Sequence, residues 1–535
     1  MNFTIGSLLA FSFAASLIAV IALIWAISTQ QFRITESDAR TVFEDDDEAG
    51  KLDDPTSPYS DRRVIQDPRL TRDWHRLLIV MFVTATIWLV FGSVFGVIAS
   101  LKLHLPDWLT GSAPLTFGRM RTLHLNSVIY GFLSLGGIGT AMWLVPTLFK
   151  TPLRKPRLGM VGAVIWNIGV LGGVTAIASG WTDGLEWLEI PWQFDILLAL
   201  GGACFAIPLL FTAAARRVNH IYVSGWYYMA GLVWFPTLFI IANLPDTHAG
   251  AQQATANWWF AHNVLGLWLT PLGLGAAYYF IPKIIGKPIY SYRLSLLGFW
   301  SLALFYSQVG MHHLVGGPIP TWVVSLSIVQ SVMMVVPVIA VAINQHTLSL
   351  GNLWAWRESL PLRFVALGAI MYTLASLQGS LEAVRAFSTV AHFTHYTVGH
   401  AHLGAYAFVA LVLFGGIYYM MPRITGRAWP MPWAISLHFW LVVVGFAIYF
   451  FALSIGGWLQ GLAMVDASRE WLESMELTVP YLAGRSLGGT LMTLGHLVFA
   501  ANLAVLFLSP RRHFEEAPEA RENPASPTTV QESEA

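Results

Sequence analysis

Apolar runs of about twenty residues recur along this chain, each long enough to cross roughly 30 Å of hydrocarbon as a helix. About thirteen are legible, near residues 5–28, 77–101, 122–148, 158–180, 194–214, 223–243, 257–283, 294–312, 321–343, 361–380, 399–421, 432–455 and 485–508. A backbone in lipid must satisfy its own hydrogen bonds, so the expected fold is all-α, a polytopic helix bundle. A length of 535 residues would otherwise suggest several soluble domains, but 55% hydrophobic and 11% charged residues, with a mean hydropathy of +0.58, place the chain in a bilayer. Thirty basic residues balance thirty acidic ones, so nothing points to nucleic acid or a polyanionic substrate. The one cysteine, Cys204, lies in an apolar run. This chain alone therefore builds no disulfide framework, iron-sulfur cluster or zinc-thiolate site, and any transition metal must rely on histidine.

Basic residues gather in alternate loops: Arg62 to Arg76, Lys150 to Arg157, Arg216 and Arg217, Lys283 to Arg293, Arg423 and Arg427, then Arg511 and Arg512. By the positive-inside rule that side is cytoplasmic, with an outside N-terminus and an inside C-terminus. Four regions are expected: an N-terminal transmembrane anchor over residues 1–30, a polar cytoplasmic linker over 31–75 carrying the acidic run Glu44 to Glu48, a core over 76–510, and a disordered cytoplasmic tail over 511–535. A basic start and a small-residue cleavage site are both missing, which argues against a signal peptide.

Direction fixes the depth of each histidine. His124, His262, His400 and His402 stand near the starts of out-to-in spans, while His312 and His313 end an in-to-out span. All six converge on the outer third of the bilayer, where ionisable residues are rare and face functional partners. His400 and His402, two residues apart on a helix, point about 200° away from each other and can ligate two planar cofactors. Adjacent His312 and His313 can reach one metal, and His262 completes a three-imidazole set suited to copper. His124 can oppose one member of the His400/His402 pair across a haem. No Cys-X-X-Cys-His sequence exists, so the haems are expected to be non-covalent. His438 and His496 read as packing or helix-end residues, and His75, His104, His220, His248, His346 and His513 as solvated loop or interface residues. His392 and His395 lie close to the outer face, where a structural role is the favoured reading.

Several motifs in order carry a resemblance: Arg119-Met-Arg-Thr-Leu-His124, Trp258-Trp-Phe-Ala-His262-Asn-Val-Leu-Gly266, Tyr290-Ser-Tyr-Arg-Leu-Ser295, Tyr306-Ser-Gln-Val-Gly-Met-His312-His313 and Gly399-His400-Ala-His402. From about Trp74 to Leu508 the sequence resembles subunit I of the cbb3-type cytochrome c oxidases, the C family of haem-copper oxidases. The resemblance implies a twelve-helix core, to which the first run adds one extra helix. It implies His124 and His402 as axial ligands of a low-spin haem b, His400 as the ligand of a high-spin haem b3, and His262, His312 and His313 as ligands of the copper, CuB. Tyr306 matches the family's active-site tyrosine, covalently joined to a copper-ligating histidine, here His262. Other oxidases place that tyrosine four residues after the first copper histidine, and nitric oxide reductases place a glutamate there. This chain has Gly266, which favours oxygen over nitric oxide as substrate.

The implied activity is reduction of dioxygen to water with electrons from cytochrome c, coupled to proton uptake and pumping. The implied partners are membrane-anchored c-type cytochrome subunits, in a bacterial inner membrane with the site toward the periplasm. Tyr292 and Ser295 are expected on the proton path, and Arg485 against a haem propionate. Asp195, Glu186 and Glu189 are candidates for a structural divalent cation such as calcium or for propionate contacts, with solvated loop charge the simpler reading of the glutamates. Two departures stand out: the family's Phe-Glu-Gly-Pro segment reads Leu377-Gln378-Gly-Ser here, and Arg385 stands where lysine is usual. The N-terminal segment with Trp25 is similar to a small maturation protein encoded beside these oxidases. Competing readings are a nitric oxide reductase with non-haem iron, a non-catalytic haem carrier, which leaves His262, His312, His313 and Tyr306 without purpose, and a secondary transporter, for which no paired discontinuous helices are seen.

Overall fold

The computed structural model describes residues 17, 20–33, 35–44, 47–54, 56, 66–244 and 248–508. Among them twelve helices are long and apolar enough to cross a membrane: α1 (Arg72–Lys102), α2 (Phe117–Leu148), α3 (Pro156–Ser179), α4 (Trp192–Ala214), α5 (Val223–Ala242), α6 (Ala251–Ile285), α7 (Tyr292–Leu314), α8 (Thr321–Leu350), α9 (Leu360–Glu382), α10 (His395–Thr425), α11 (Pro432–Val465) and α12 (Trp471–Leu508). The described residues form no β-strand, as the bilayer argument requires of an open bundle. The chain is an integral membrane protein. The first apolar run is helical over residues 20–28; its earlier part and the tail over 511–535 lie outside the described residues.

Burial separates the helices into two classes. The apolar stretches of α2, α6 and α10 are 94%, 89% and 83% buried, whereas those of the other nine run from 33% to 56%. Three helices therefore form the centre, and the rest turn a face to lipid. Four of the six converging histidines stand on these three. Each central helix widens into a π-helical stretch within three residues after its histidine: Ser127–Ser134 in α2, Leu265–Leu269 in α6 and Leu403–Ala410 in α10. Such wide turns are uncommon and favour functional sites.

At the opposite end α6 and α10 close on one pattern, Tyr278-Tyr279-Phe-Ile-Pro282-Lys283-Ile-Ile-Gly286 and Tyr418-Tyr419-Met-Met-Pro422-Arg423-Ile-Thr-Gly426. The N-terminal linker is laid across both. Asp47 pairs with the buried Lys283, and Asp53 holds Arg423 at 2.7 Å and the Tyr419 hydroxyl at 2.7 Å. The backbone N–H groups of Gly50 and Asp53 donate to the carbonyls of Gly286 and Ile284. Earlier in the segment Trp25 packs edge-on against Trp226, and Phe32 against Trp300. A lysine ammonium buried in this way, and the half-buried Arg423 guanidinium beside it, need such partners.

Candidate metal centre

His124 on α2 and His402 on α10 face each other with ring centroids 6.1 Å apart and planes only 6° from parallel. An imidazole nitrogen sits about 2.0–2.1 Å from a bound first-row metal, so two imidazoles ligating one metal from opposite sides place their ring centres about 6 Å apart. Each ring is already oriented. His124 Nδ1 donates to the Gly92 carbonyl at 2.8 Å and His402 Nδ1 to the Val398 carbonyl at 2.9 Å. That fixes the tautomer and leaves Nε2 as the lone pair of each ring, which in His402 the Tyr449 hydroxyl approaches at 3.2 Å. The two rings line a cavity of about 1030 Å³ with Arg121, Tyr449, Arg485 and His496. Arg485 Nε is buried with no hydrogen-bond partner, and its guanidinium lies 5.7 Å over the Tyr449 ring. An arginine nitrogen left without a partner in the wall of this cavity suits a carboxylate-bearing planar group. His496, read from sequence as packing, belongs to this wall: Ser93 Oγ lies 2.7 Å from its Nδ1 and Tyr406 Oη 2.8 Å from its Nε2.

The other side of α10 opens onto a second cavity, of about 720 Å³, lined by His400, His262, Tyr306, Tyr372 and Phe408. The expected divergence of His400 from His402 is what the helix delivers. His400 Nδ1 faces Gln378 Oε1 at 3.4 Å and Glu382 Oε1 at 3.7 Å. Pattern reading noticed only that position 378 lacks a carboxylate; one helical turn further along α9 a carboxylate returns at Glu382, on the same face.

His262, His312 and His313 offer ligand atoms that all lie within 4.8 Å of one another. His262 Nδ1 and His313 Nε2 are 2.9 Å apart. Ser327 and Ser331 hold His312 Nδ1 at 3.0 and 3.2 Å, leaving its Nε2 for the cluster, and Trp258 stacks on His313 at 4.5 Å. The serine pair carries no sequence signal, since it arrives from another helix; Trp258 belongs to the quoted motif, but its contact with His313 is visible only in the fold. The histidine pair does not end a continuous helix, as the sequence suggested. The α-helix of α7 stops at Tyr306 and the pair sits on a separate 3₁₀ turn, Met311–Leu314. Between them lies Gly310, whose φ of +115° suits glycine and whose missing Cβ would stand 2.6 Å from the Trp258 carbonyl oxygen. Tyr306 lies beside His262, with ring centroids 5.3 Å apart and planes 24° from parallel. Its ring occupies the space a side chain at Gly266 would need.

The remaining candidates divide. Tyr292 stands at the opposite end of α7, its hydroxyl donating to the Ile221 carbonyl at 3.2 Å; Ser295 is fully buried and donates back to the Tyr292 carbonyl. Glu186 pairs with Arg121 at 2.6 Å. Glu189 is not a solvated charge, because it is 4% exposed and bonded to Asn126 at 2.9 Å. Burial, with Glu186 nearby, pushes its carboxyl up to about 7. Asp195 is buried as well. His220, expected in solvent, is 13% exposed and lies 2.7 Å from the Tyr292 hydroxyl.

Comparison with known proteins gives a consistent result. The family described as Cytochrome C and Quinol oxidase polypeptide I matches residues 76–491. The chain is 33% identical to the Cbb3-type cytochrome c oxidase subunit CcoN1 of Stutzerimonas stutzeri, over 78% of this chain and 92% of that one. It is 31% identical to a cytochrome c oxidase subunit 1 of Rhodobacter capsulatus, over 82% and 87%. A solved heme-copper terminal oxidase dimer shares the fold at a TM-score of 0.70 and 18% identity, covering 83% of this chain and 85% of that one. The chain thus belongs to the haem-copper oxidase subunit I family, in its cbb3-type branch.

Proposed function

We propose that this chain is the catalytic subunit of a terminal oxidase that reduces dioxygen to water with electrons from cytochrome c. The observation that carries the reading is the pair of cavities on opposite faces of α10, one holding His124 and His402, the other His400, Tyr306 and the three-histidine cluster. In this reading His124 and His402 hold a low-spin haem b, His400 a high-spin haem b3, and His262, His312 and His313 a copper ion. When bound, these groups supply the electron transfer and the four-electron oxygen chemistry. The protein's own residues fix them. Backbone carbonyls and serines set the exposed nitrogen of the histidines they hold, Gln378 lies against His400, and Arg485 meets a propionate. Ala401 alone separates His400 from His402, so α10 itself joins the two sites.

Tyr306 supplies a hydrogen atom from within the second cavity, and its place beside His262 suits the family's covalent link. The cluster is all-imidazole, and no carboxylate lines its cavity, which favours copper over the harder iron site of a nitric oxide reductase. The basic loops put the metal centre at the periplasmic end of a bacterial inner membrane. Protons then come from the cytoplasmic end past Tyr292 and Ser295, with pumping coupled to their uptake. Electrons arrive through membrane-anchored c-type cytochrome subunits. Buried, unpartnered oxygens on Glu189 and Asp195 support a structural divalent cation such as calcium near Arg121. The same reading divides the chain into an anchor (1–30), a cytoplasmic linker (31–75), the oxidase core (76–510) and a tail (511–535).

Metal analysis and reduced-minus-oxidised spectra of the purified complex test the proposal, with oxygen uptake driven by reduced cytochrome c. Two haems and one copper per chain with cyanide-sensitive uptake are expected. Non-haem iron with nitric oxide consumption, or haem with no second metal, would overturn it.

A further inference from the structure

The segment that precedes the family's matched region, which begins at residue 76, reaches the foot of α7. Its short helix Glu36–Ala39 brings Asp38 to the loop between α4 and α5, where Asp38 Oδ1 lies 3.9 Å from His220 Nδ1. On the far side of the same imidazole, Nε2 is 2.7 Å from the Tyr292 hydroxyl. The loop is clasped in place: Gln31 Nε2 donates to the Asn219 carbonyl at 2.9 Å, and the Ile221 N–H donates to Gln31 Oε1 at 2.9 Å. His220 thus stands between two anchored neighbours. Exposure falls along the row, from 13% for the Asp38 and His220 side chains to 5% at Tyr292 and zero at Ser295.

We propose that Asp38, His220 and Tyr292 form the proton inlet of this chain, with the appended N-terminal segment supplying the group that meets the cytoplasm. The inference rests on the oxidase reading above and adds the identity of the collecting residues. Hydrogen-bond direction supports it. The Tyr292 hydroxyl donates to the Ile221 carbonyl, so its oxygen accepts from His220 Nε2–H. That leaves His220 Nδ1 as the lone pair facing the Asp38 carboxylate. A proton delivered by Asp38 to Nδ1, one released from Nε2 to the Tyr292 oxygen, and the phenol's own proton passed on toward the interior leave the ring and the phenol each with the charge it began with; no electron moves. Burial lowers the proton affinity of His220 while Asp38 raises it, which keeps the imidazole neutral between transfers and ready to charge transiently. Inward, Tyr292 is followed by further buried phenols. Its ring lies 5.7 Å from that of Tyr222, whose hydroxyl donates to the Tyr278 carbonyl at 3.0 Å. Tyr278 stacks at 6.0 Å on Tyr227, whose buried hydroxyl has no hydrogen-bond partner among the described residues.

Asp38 has a second occupation that the test must separate. Its Oδ2 accepts from the Thr35 N–H at 2.6 Å and from the Thr35 hydroxyl at 2.9 Å, bonds that an amide oxygen also accepts. The experiment uses the full complex with Asp38→Asn, Asp38→Glu and His220→Gln, each checked for haem and copper content. Oxygen turnover and proton uptake, read with a pH-indicator dye, should fall about tenfold or more in Asp38→Asn and His220→Gln, while reduction of the low-spin haem by cytochrome c keeps its rate. Asp38→Glu should restore turnover. Full turnover in Asp38→Asn or in His220→Gln, in a complex whose parent consumes oxygen, would overturn the inlet and leave the oxidase reading intact. A parent complex that consumes no oxygen would instead overturn the oxidase reading.

Discussion

Substituting Gly266 by alanine adds one methyl group at the point where Tyr306 approaches α6 most closely. The added Cβ would overlap Cε1, Cζ and Cδ1 of the Tyr306 ring. Carbon atoms rest about 3.5–4.0 Å apart, so the overlap is too deep to be absorbed by a few tenths of an ångström. Gly266 sits in the π-helical stretch of a central helix with its neighbours fully packed, which leaves the phenol as the part that yields. Its displacement, on the order of 1–2 Å, carries it away from His262, and a misplacement of about 1 Å at a reacting group costs about 100-fold in rate. Overpacking of this kind also destabilises by about 1–3 kcal/mol, which a large membrane bundle tolerates. The expected outcome is a complex with normal content of both haems and an oxygen turnover about 100-fold below that of the parent. Steady-state oxygen electrode measurements with a pyridine haemochrome assay read both quantities. Parent-like turnover would refute the claim that glycine is required at 266 to seat Tyr306.

Two other substitutions probe groups the sequence underrated. Glu382→Gln should leave both haems bound but shift the midpoint potential and the iron–histidine vibration of the His400-ligated haem, because it replaces the buried carboxyl 3.7 Å from His400 Nδ1 by an amide; unchanged spectra would leave that tuning to Gln378. In protein freed of divalent cations with a chelator, burial and Glu186 raise the Glu189 carboxyl to about 7, so the folded state holds that proton more tightly than the unfolded chain does, and its contribution to stability falls as pH rises from about 4.5 to about 7. Glu189→Gln should flatten the dependence of the thermal midpoint on pH across that window; an unaltered slope would rule out Glu189 as its source.

The bundle and the histidine set were legible because each rests on a period or a depth. Twenty-residue apolar runs report helices, the alternation of basic loops reports direction, and two histidines two apart on a helix must diverge. What stayed hidden came from other parts of the chain. Ser327 and Ser331 reach His312 from α8, Glu382 reaches His400 from α9, and His220 meets Tyr292 across 72 positions, and none of these pairings leaves a local pattern. The break between Tyr306 and His312 was hidden for a different reason. Only the approach of the Trp258 carbonyl sets Gly310 apart from the many other glycines in the turn that carries the histidine pair.

The π-helical stretches have a consequence for how histidine identity is set. His262 stands twenty residues before Pro282, and His402 stands twenty before Pro422, each with one wide turn between. The two helices are the same mechanical part used twice. An inserted residue in a wide turn rotates everything beyond it by about 100°, so the half that carries the histidine and the half that rests on the bundle floor are phased independently of each other. Equivalent positions can therefore point at different chemistry, His262 at the metal cluster and His402 at His124. Deleting one residue from either wide turn would leave the helix length nearly unchanged and yet aim its histidine at the wrong neighbour.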